Sequence, residues 1–244
     1  MDIKNMDVRL ICAGFALLGI FVLPNLASAG LAMFWDDFEQ DKLGGQPSQW
    51  KYAAGNQKGE IIKDPKDGSN QVFSMPDRFP RGSFGFYVIG DKTWTDYVVE
   101  WDWMPAAGYH GINFRYNDKD NYYLADKRDV TGEIKFYKRQ AGWQNFATGS
   151  FKWNEGDWYR ARLILKGSKF TVKIKEKGDK TSFKQIDPEK SGVEGEDKNF
   201  KSGGFCSGKG LIDNVVVGKT INDLDLTVDG MGKLATIWGR IKTR

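Results

Sequence analysis

The chain has 244 residues, with 36 Lys and Arg against 32 Asp and Glu, a net charge of +4, 2 Cys, 1 His and 9 Trp. Hydrophobic, charged and aromatic shares of 40%, 28% and 14% exclude disorder and low-complexity polymers and allow one buried core, with or without a tail. So few His and Cys exclude His-rich metal sites, zinc ribbons and multi-histidine thiol relays, and the slight, evenly mixed charge argues against nucleic acid as a partner.

Lys4 and Arg9 precede an apolar run from Leu10 to Pro24, and Ala27, Ser28 and Ala29 follow before Gly30. This order reads as a secretory signal peptide over residues 1–29, because the apolar run is shorter than the roughly 20 residues that span a bilayer. A retained membrane anchor is the competing reading. Cleavage would remove Asp2, Asp7, Lys4 and Arg9 and leave the charge at +4. The mature chain is then expected to be secreted or periplasmic, without a transmembrane segment. Its one remaining thiol, Cys206, reads as a small buried residue and not as half of a disulfide.

From Phe34 to Val217 short alternating or β-branched runs are separated by Gly, Asp, Asn and Pro turns, with no sustained 3.6-residue periodicity. The spacing predicts strands over residues 34–39, 59–63, 71–75, 83–89, 96–105, 111–117, 121–128, 133–140, 143–149, 157–167, 168–177 and 210–218. An all-β, two-sheet antiparallel sandwich or jelly roll over residues 30–218 follows. Period-two alternation places Tyr97, Val99, Trp101 and Trp103 in the core and turns Glu100 and Asp102 away from it. Ile112, Phe114 and Tyr116 likewise separate from Asn113 and Arg115. Tyr159, Ala161, Leu163 and Leu165 on one strand, and Phe170, Val172 and Ile174 on the next, are also core positions. The ladder Lys169, Lys173, Lys175 and Lys177 reads mostly as a solvated face. Residues 219–244 form a tail in which Leu234, Ile237, Trp238 and Ile241 recur at helical spacing, as in a short amphipathic helix docked on the body or lying on a membrane.

The opening DDFE with Trp50 downstream, the block YVVEWDWMPAAGYHGINFRYNDKDNYYLA, the block GDWYRARLILKGSKFTVKI and the closing GLIDNVVVG resemble the concanavalin A-like jelly-roll domains of exported bacterial proteins. Their order is most similar to laminin-G-like and 3-keto-disaccharide-hydrolase-like domains. The resemblance implies a lectin-like carbohydrate-binding module, with a glycan or polysaccharide as partner and the concave sheet as its site. Glu100, Asp102, Asn113 and Arg115 then offer carboxylates, an amide and a guanidinium fork to sugar hydroxyls, with Tyr109 and His110 in the adjoining loop. Trp143 supplies a stacking platform if exposed. The same polar residues also fit a plain outer sheet face, with Arg115 paired to Glu100 or Asp102.

Glycosidases of the laminarinase type carry Glu-x-Asp and then a second Glu on one strand. Glu100-Trp101-Asp102 matches the first part, but Met104 and Pro105 stand where the second Glu belongs. Glycoside hydrolysis needs carboxyl groups about 5 Å or about 6.5–9.5 Å apart, and Cα atoms two residues apart on a strand are on the order of 6.5 Å apart. A glycoside or 3-keto-glycoside hydrolase using Glu100 and Asp102 therefore stays open beside a binding module and a structural or adhesion module. The resemblance also implies a structural calcium ion tying the first strand to the last, with Asp36, Asp37, Glu39 and Asp213 as hard oxygen donors. Asp also ends strands and forms turns, which is the other reading of these positions.

Overall fold

The computed structural model describes residues 32–75, 85–108, 110–128 and 132–224. The predicted signal segment, the predicted tail helix and Tyr109 lie outside these residues, and the His110 side chain is not described. In chain order the strands are β1 (Phe34–Asp36), β2 (Lys51–Gly55), β3 (Glu60–Lys63), β4 (Gln71–Met75), β5 (Gly85–Ile89), β6 (Tyr97–Met104), β7 (His110–Asp118) and β8 (Asn121–Arg128). There follow β9 (Glu133–Arg139), β10 (Trp143–Ser150), β11 (Tyr159–Lys166), β12 (Lys169–Glu176), β13 (Gly192–Glu196), β14 (Gly204–Cys206) and β15 (Gly210–Gly218). A 3-10 turn, Ile221–Leu224, packs Leu224 near Val98 and Val216. Among the described residues no helix is long and apolar enough to cross a membrane.

All pairings are antiparallel, and the strands form two layers. One runs β2, β5, β14, β7, β8, β9, β10, and the other runs β13, β12, β11, β6, β15, β4, β3, with β1 also on β15. The layers share a seam where Ser150 of β10 stands opposite Gly192 of β13. Their inner faces meet through aromatic rings: Trp101 of β6 lies 5.7 Å from Phe205 of β14, and Phe114 of β7 lies 5.2 Å from Phe170 of β12. This is the expected two-sheet sandwich, and the core positions read from β6, β11 and β12 are buried. Strands β2, β13 and β14 were not foreseen, because KYAAG, GVEGE and GFC are short and Gly- or Ala-rich and give almost no alternation.

Two expectations about β6 and β7 are corrected. They are consecutive in sequence but belong to opposite layers and do not pair as a hairpin. Glu100 and Asp102 therefore do not share a face with Asn113. Alternation along β7 also breaks at Arg115, whose φ is 46°, and the pairing with β14 shifts by one residue between Asn113 and Tyr116. A bulge of this kind inserts one residue and reverses the faces beyond it. Arg115 consequently points inward, and Tyr116, expected beside Phe114, packs instead with Phe86, Tyr122 and Cys206.

The lysine ladder is less solvated than expected. Lys173 Nζ donates to the Phe183 carbonyl at 3.1 Å, and Lys175 Nζ donates to the Asp179 and Thr181 carbonyls at 2.8 and 2.6 Å. These bonds hold the 178–190 loop against β12, and only Lys169 keeps the expected solvent-facing role. Cys206 is buried as expected.

Two buried carboxylates make stability depend on pH. Asp36 accepts from Trp50 Nε1 at 2.9 Å and from the Phe38 amide at 3.0 Å. Asp213 accepts from Asn70 Nδ2 at 3.0 Å and Asn214 Nδ2 at 2.8 Å. Burial nevertheless pushes both from 3.8 up to about 6. Between those values the folded chain holds protons that the unfolded chain has released, so their contribution is full below 3.8 and is lost as pH rises through about 6. Urea titrations are expected to show the contribution of these two groups falling as pH rises from 3.8 through about 6.

Candidate functional site

The strand alternation that buries one face of β8 and β9 sends Tyr122, Leu124, Asp126 and Arg128, and Glu133, Lys135, Tyr137 and Arg139, to the outer face of the first layer. There all of these except Glu133 and Lys135 border a groove of about 800 Å³, with Phe86, Asn113, Trp143 and Ser207 among its walls. Its floor contains Gly111 and Gly208. A Cβ on Gly111 would lie 1.3 Å from the Ala125 carbonyl oxygen, and one on Gly208 would lie 1.4 Å from the Gly111 oxygen. The close approach of backbone to backbone demands glycine and leaves that part of the floor without side chains.

Planar and charged groups alternate along the groove. Arg128 Nη2 lies 2.9 Å from Asp126 Oδ2, and its guanidinium sits 4.8 Å from the Tyr137 ring centre. Arg139 is placed 5.3 Å from the Trp143 ring centre and 3.5 Å from Asp120. Trp143 itself is 52% exposed, held by edge contacts to Tyr122 at 5.9 Å and Tyr137 at 6.2 Å. Lys119, and then Arg139, holds the Asp120 carboxyl below its ordinary range despite slight desolvation. Burial pushes the Tyr122 phenol upward, so it stays neutral. At the base Asn113 Nδ2 donates to Cys206 Sγ at 3.7 Å, and the buried Ser207 hydroxyl has no hydrogen-bond partner among the described residues. An aromatic platform beside fixed carboxylates, an amide, a hydroxyl and two guanidinium groups can present both an apolar surface and directed hydrogen bonds to a polyhydroxylated ligand.

The sequence-derived site residues separate into three places. Asn113 and Trp143 border the groove. Arg115 is 1% exposed between the layers, where Nη1 donates to the Phe200 carbonyl at 2.7 Å and Nη2 approaches Asp96 at 3.3 Å. Its guanidinium lies 5.0 Å from the Phe170 ring centre. Glu100 and Asp102 lie on the outer face of the second layer. There Glu100 accepts from Arg160 Nε at 3.1 Å and Arg162 Nε at 2.6 Å, while Asp102 meets Arg160 at 3.2 Å and Lys177 at 3.0 Å. These arginines come from β11, which pairs with β6 so that Arg160 stands opposite Asp102 and Arg162 opposite Glu100. Asp126, Arg128, Tyr137 and Arg139 were not singled out from sequence. The polar positions of NYYLADKR and EIKFYKR carried the signal, which becomes specific only once β8 and β9 are known to pair.

The proposed calcium donors do not converge. Asp36 faces Trp50, Asp37 Oδ1 accepts from the Glu39 amide at 3.3 Å, and Glu39 Oε1 accepts from the Gln71 amide at 2.7 Å. Asp213 is turned toward Asn70 and Asn214. Among the described residues no group of three or more His, Cys, Asp or Glu is arranged to hold a metal ion.

No protein-family model and no curated protein matches the chain by sequence. Similarity appears among solved structures. Domain 4 of AbnA, a GH43 extracellular arabinanase from Geobacillus stearothermophilus solved in complex with arabinotriose, aligns over 80% of this chain and 97% of its own, with TM-score 0.50 and 13% identity. The exoplasmic/lumenal domain of VIP36 in its Ca2+/Man-bound form aligns over 79% of this chain and 90% of its own, with TM-score 0.50 and 12% identity. The carbohydrate-binding module CBM66 from Bacillus subtilis aligns over 70% and 92%, with TM-score 0.45 and 17% identity. At these identities the likeness concerns architecture alone: the chain folds as an antiparallel β-sandwich, as these domains do.

Proposed function

We propose that this chain is an exported, non-catalytic carbohydrate-binding module, and that the outer face of the layer containing β7, β8 and β9 is its saccharide site. The observation that carries the reading is the half-exposed Trp143 set among Tyr122, Tyr137 and Arg139 at the mouth of the groove. A sugar ring would lie its C–H face on the indole while Asn113, Asp126 and Arg128 meet its hydroxyls. Two structures of the same architecture hold saccharides, arabinotriose in the arabinanase domain and Man in VIP36, which supports a glycan as the partner.

The hydrolase reading placed its two carboxylates at Glu100 and Asp102. Both are closed into ion pairs with Arg160, Arg162 and Lys177, away from the groove. In the groove Lys119 and Arg139 hold the Asp120 carboxyl below its ordinary range, away from the protonated form a general acid needs, and Asp126 is ion-paired with Arg128. These arrangements favour binding without bond cleavage.

A glycan array followed by calorimetric titration tests the proposal. Trp143→Ala should weaken the best ligand at least about ten-fold without unfolding the chain. Glu100→Gln should leave affinity unchanged while lowering stability by about 1–3 kcal/mol, since Arg160 and Arg162 lose a charged acceptor. Release of reducing sugar abolished by Glu100→Gln, or binding insensitive to Trp143→Ala, would reject the assignment.

A further inference from the structure

The charge of the groove is not balanced. Among the described residues that border it, Lys119, Arg128, Arg139 and Lys209 are cationic, against only Asp120 and Asp126 as anions. A neutral saccharide needs no such excess, because its hydroxyls are served by amides, hydroxyls and carboxylates. We infer that the groove selects carboxylate-bearing saccharides, that is, glycans containing uronic acid; this rests on the groove being the saccharide site proposed above.

Arg139 is the best-placed reader of that carboxylate. It stands over the indole that would carry the sugar ring, and its contact with Asp120 is long at 3.5 Å, on an acid that is itself 49% exposed and also paired with Lys119. An incoming planar carboxylate can take the guanidinium fork in two parallel N–H···O bonds, which the geometry of a hydroxyl cannot match. Stacking on the indole positions the ring, and the neighbouring guanidinium reads its acidic substituent. Arg128 differs, since its closer bond to Asp126 at 2.9 Å and its place over Tyr137 fix it as part of the wall.

The test uses the full chain and matched probes: galacturonan, glucuronan and alginate fragments, each beside its methyl-esterified, uncharged counterpart. At least one acid form is expected to bind about ten-fold or more tightly than its ester, the gain of one charge-assisted contact. That preference should shrink in high salt. Arg139→Gln should abolish the advantage of the acid over its ester. Equal binding of every acid and its ester, lost in Trp143→Ala, would overturn the selectivity and leave the saccharide site standing. A preference that survives Arg139→Gln also overturns the inference as drawn. No binding of any saccharide, charged or neutral, removes both readings together.

Discussion

Trp101→Ala is expected to lower the unfolding free energy by about 3–5 kcal/mol, a large part of the roughly 5–15 kcal/mol that holds a domain folded. Trp101 is 1% exposed at the centre of β6 and meets Phe205 from the opposite layer at 5.7 Å. Its removal would leave a cavity between two hydrogen-bonded sheets that cannot move together without breaking their pairings. The indole nitrogen has no hydrogen-bond partner among the described residues, so the loss would come from packing. Trp101→Phe should accordingly cost much less, since it keeps most of the contact and removes an unpaired donor. Equilibrium unfolding in urea separates the two variants, and equal losses would contradict this account.

Arg115→Ala should cost about 3 kcal/mol of stability and leave saccharide affinity unchanged, the reverse of what a binding role on the outer face would give. The substitution deletes the bond to the Phe200 carbonyl, the approach to Asp96 and the cation lying over Phe170, all inside the sandwich. Asp96 is 52% exposed and can turn to water, which keeps the loss below that of a stranded buried charge. Backbone conformation provides a second readout. At φ 46° a Cβ is strained, so Arg115→Gly should be more stable than Arg115→Ala by about 1 kcal/mol. Circular dichroism melts of the pair, run beside titrations with the best glycan, check both statements.

Arg115 also marks where reading the chain as a string of alternating residues stops working. Alternation identifies Tyr97, Val99, Trp101 and Trp103 correctly because β6 is regular from end to end. On β7 it identifies Ile112 and Phe114 and then fails, because one residue with a left-handed backbone exchanges the faces beyond it. Nothing in GINFRYN announces that bulge; it depends on β14, where Gly204 meets Tyr116 and Cys206 meets Asn113 from far along the chain. The separation of Glu100 and Asp102 from Asn113 has a related cause. Neighbouring strands in sequence are adjacent in space more often than not, but here β6 and β7 lie in opposite layers. Side-chain chemistry singled out Asn113 and Trp143, Trp143 only on the condition that it is exposed, but did not place them in this groove. Asp126, Arg128 and Arg139 were not singled out, because charged residues on an exposed strand look the same whether they face open water or a hollow.

The positions of β14 and β15 bear on how the molecule comes to be made. Residues 204–206 are wedged between β5 and β7, and residues 210–218 between β6 and β4, so the last described strands fill the middle of both layers. Neither layer can close while the chain is still being synthesised, and at about 5–20 residues per second the earlier segments wait many seconds for their neighbours. Contacts so distant in sequence also make the final collapse slow. A polypeptide that stays open until its far end arrives can be threaded through a translocation pore, and it needs protection from self-association on the way.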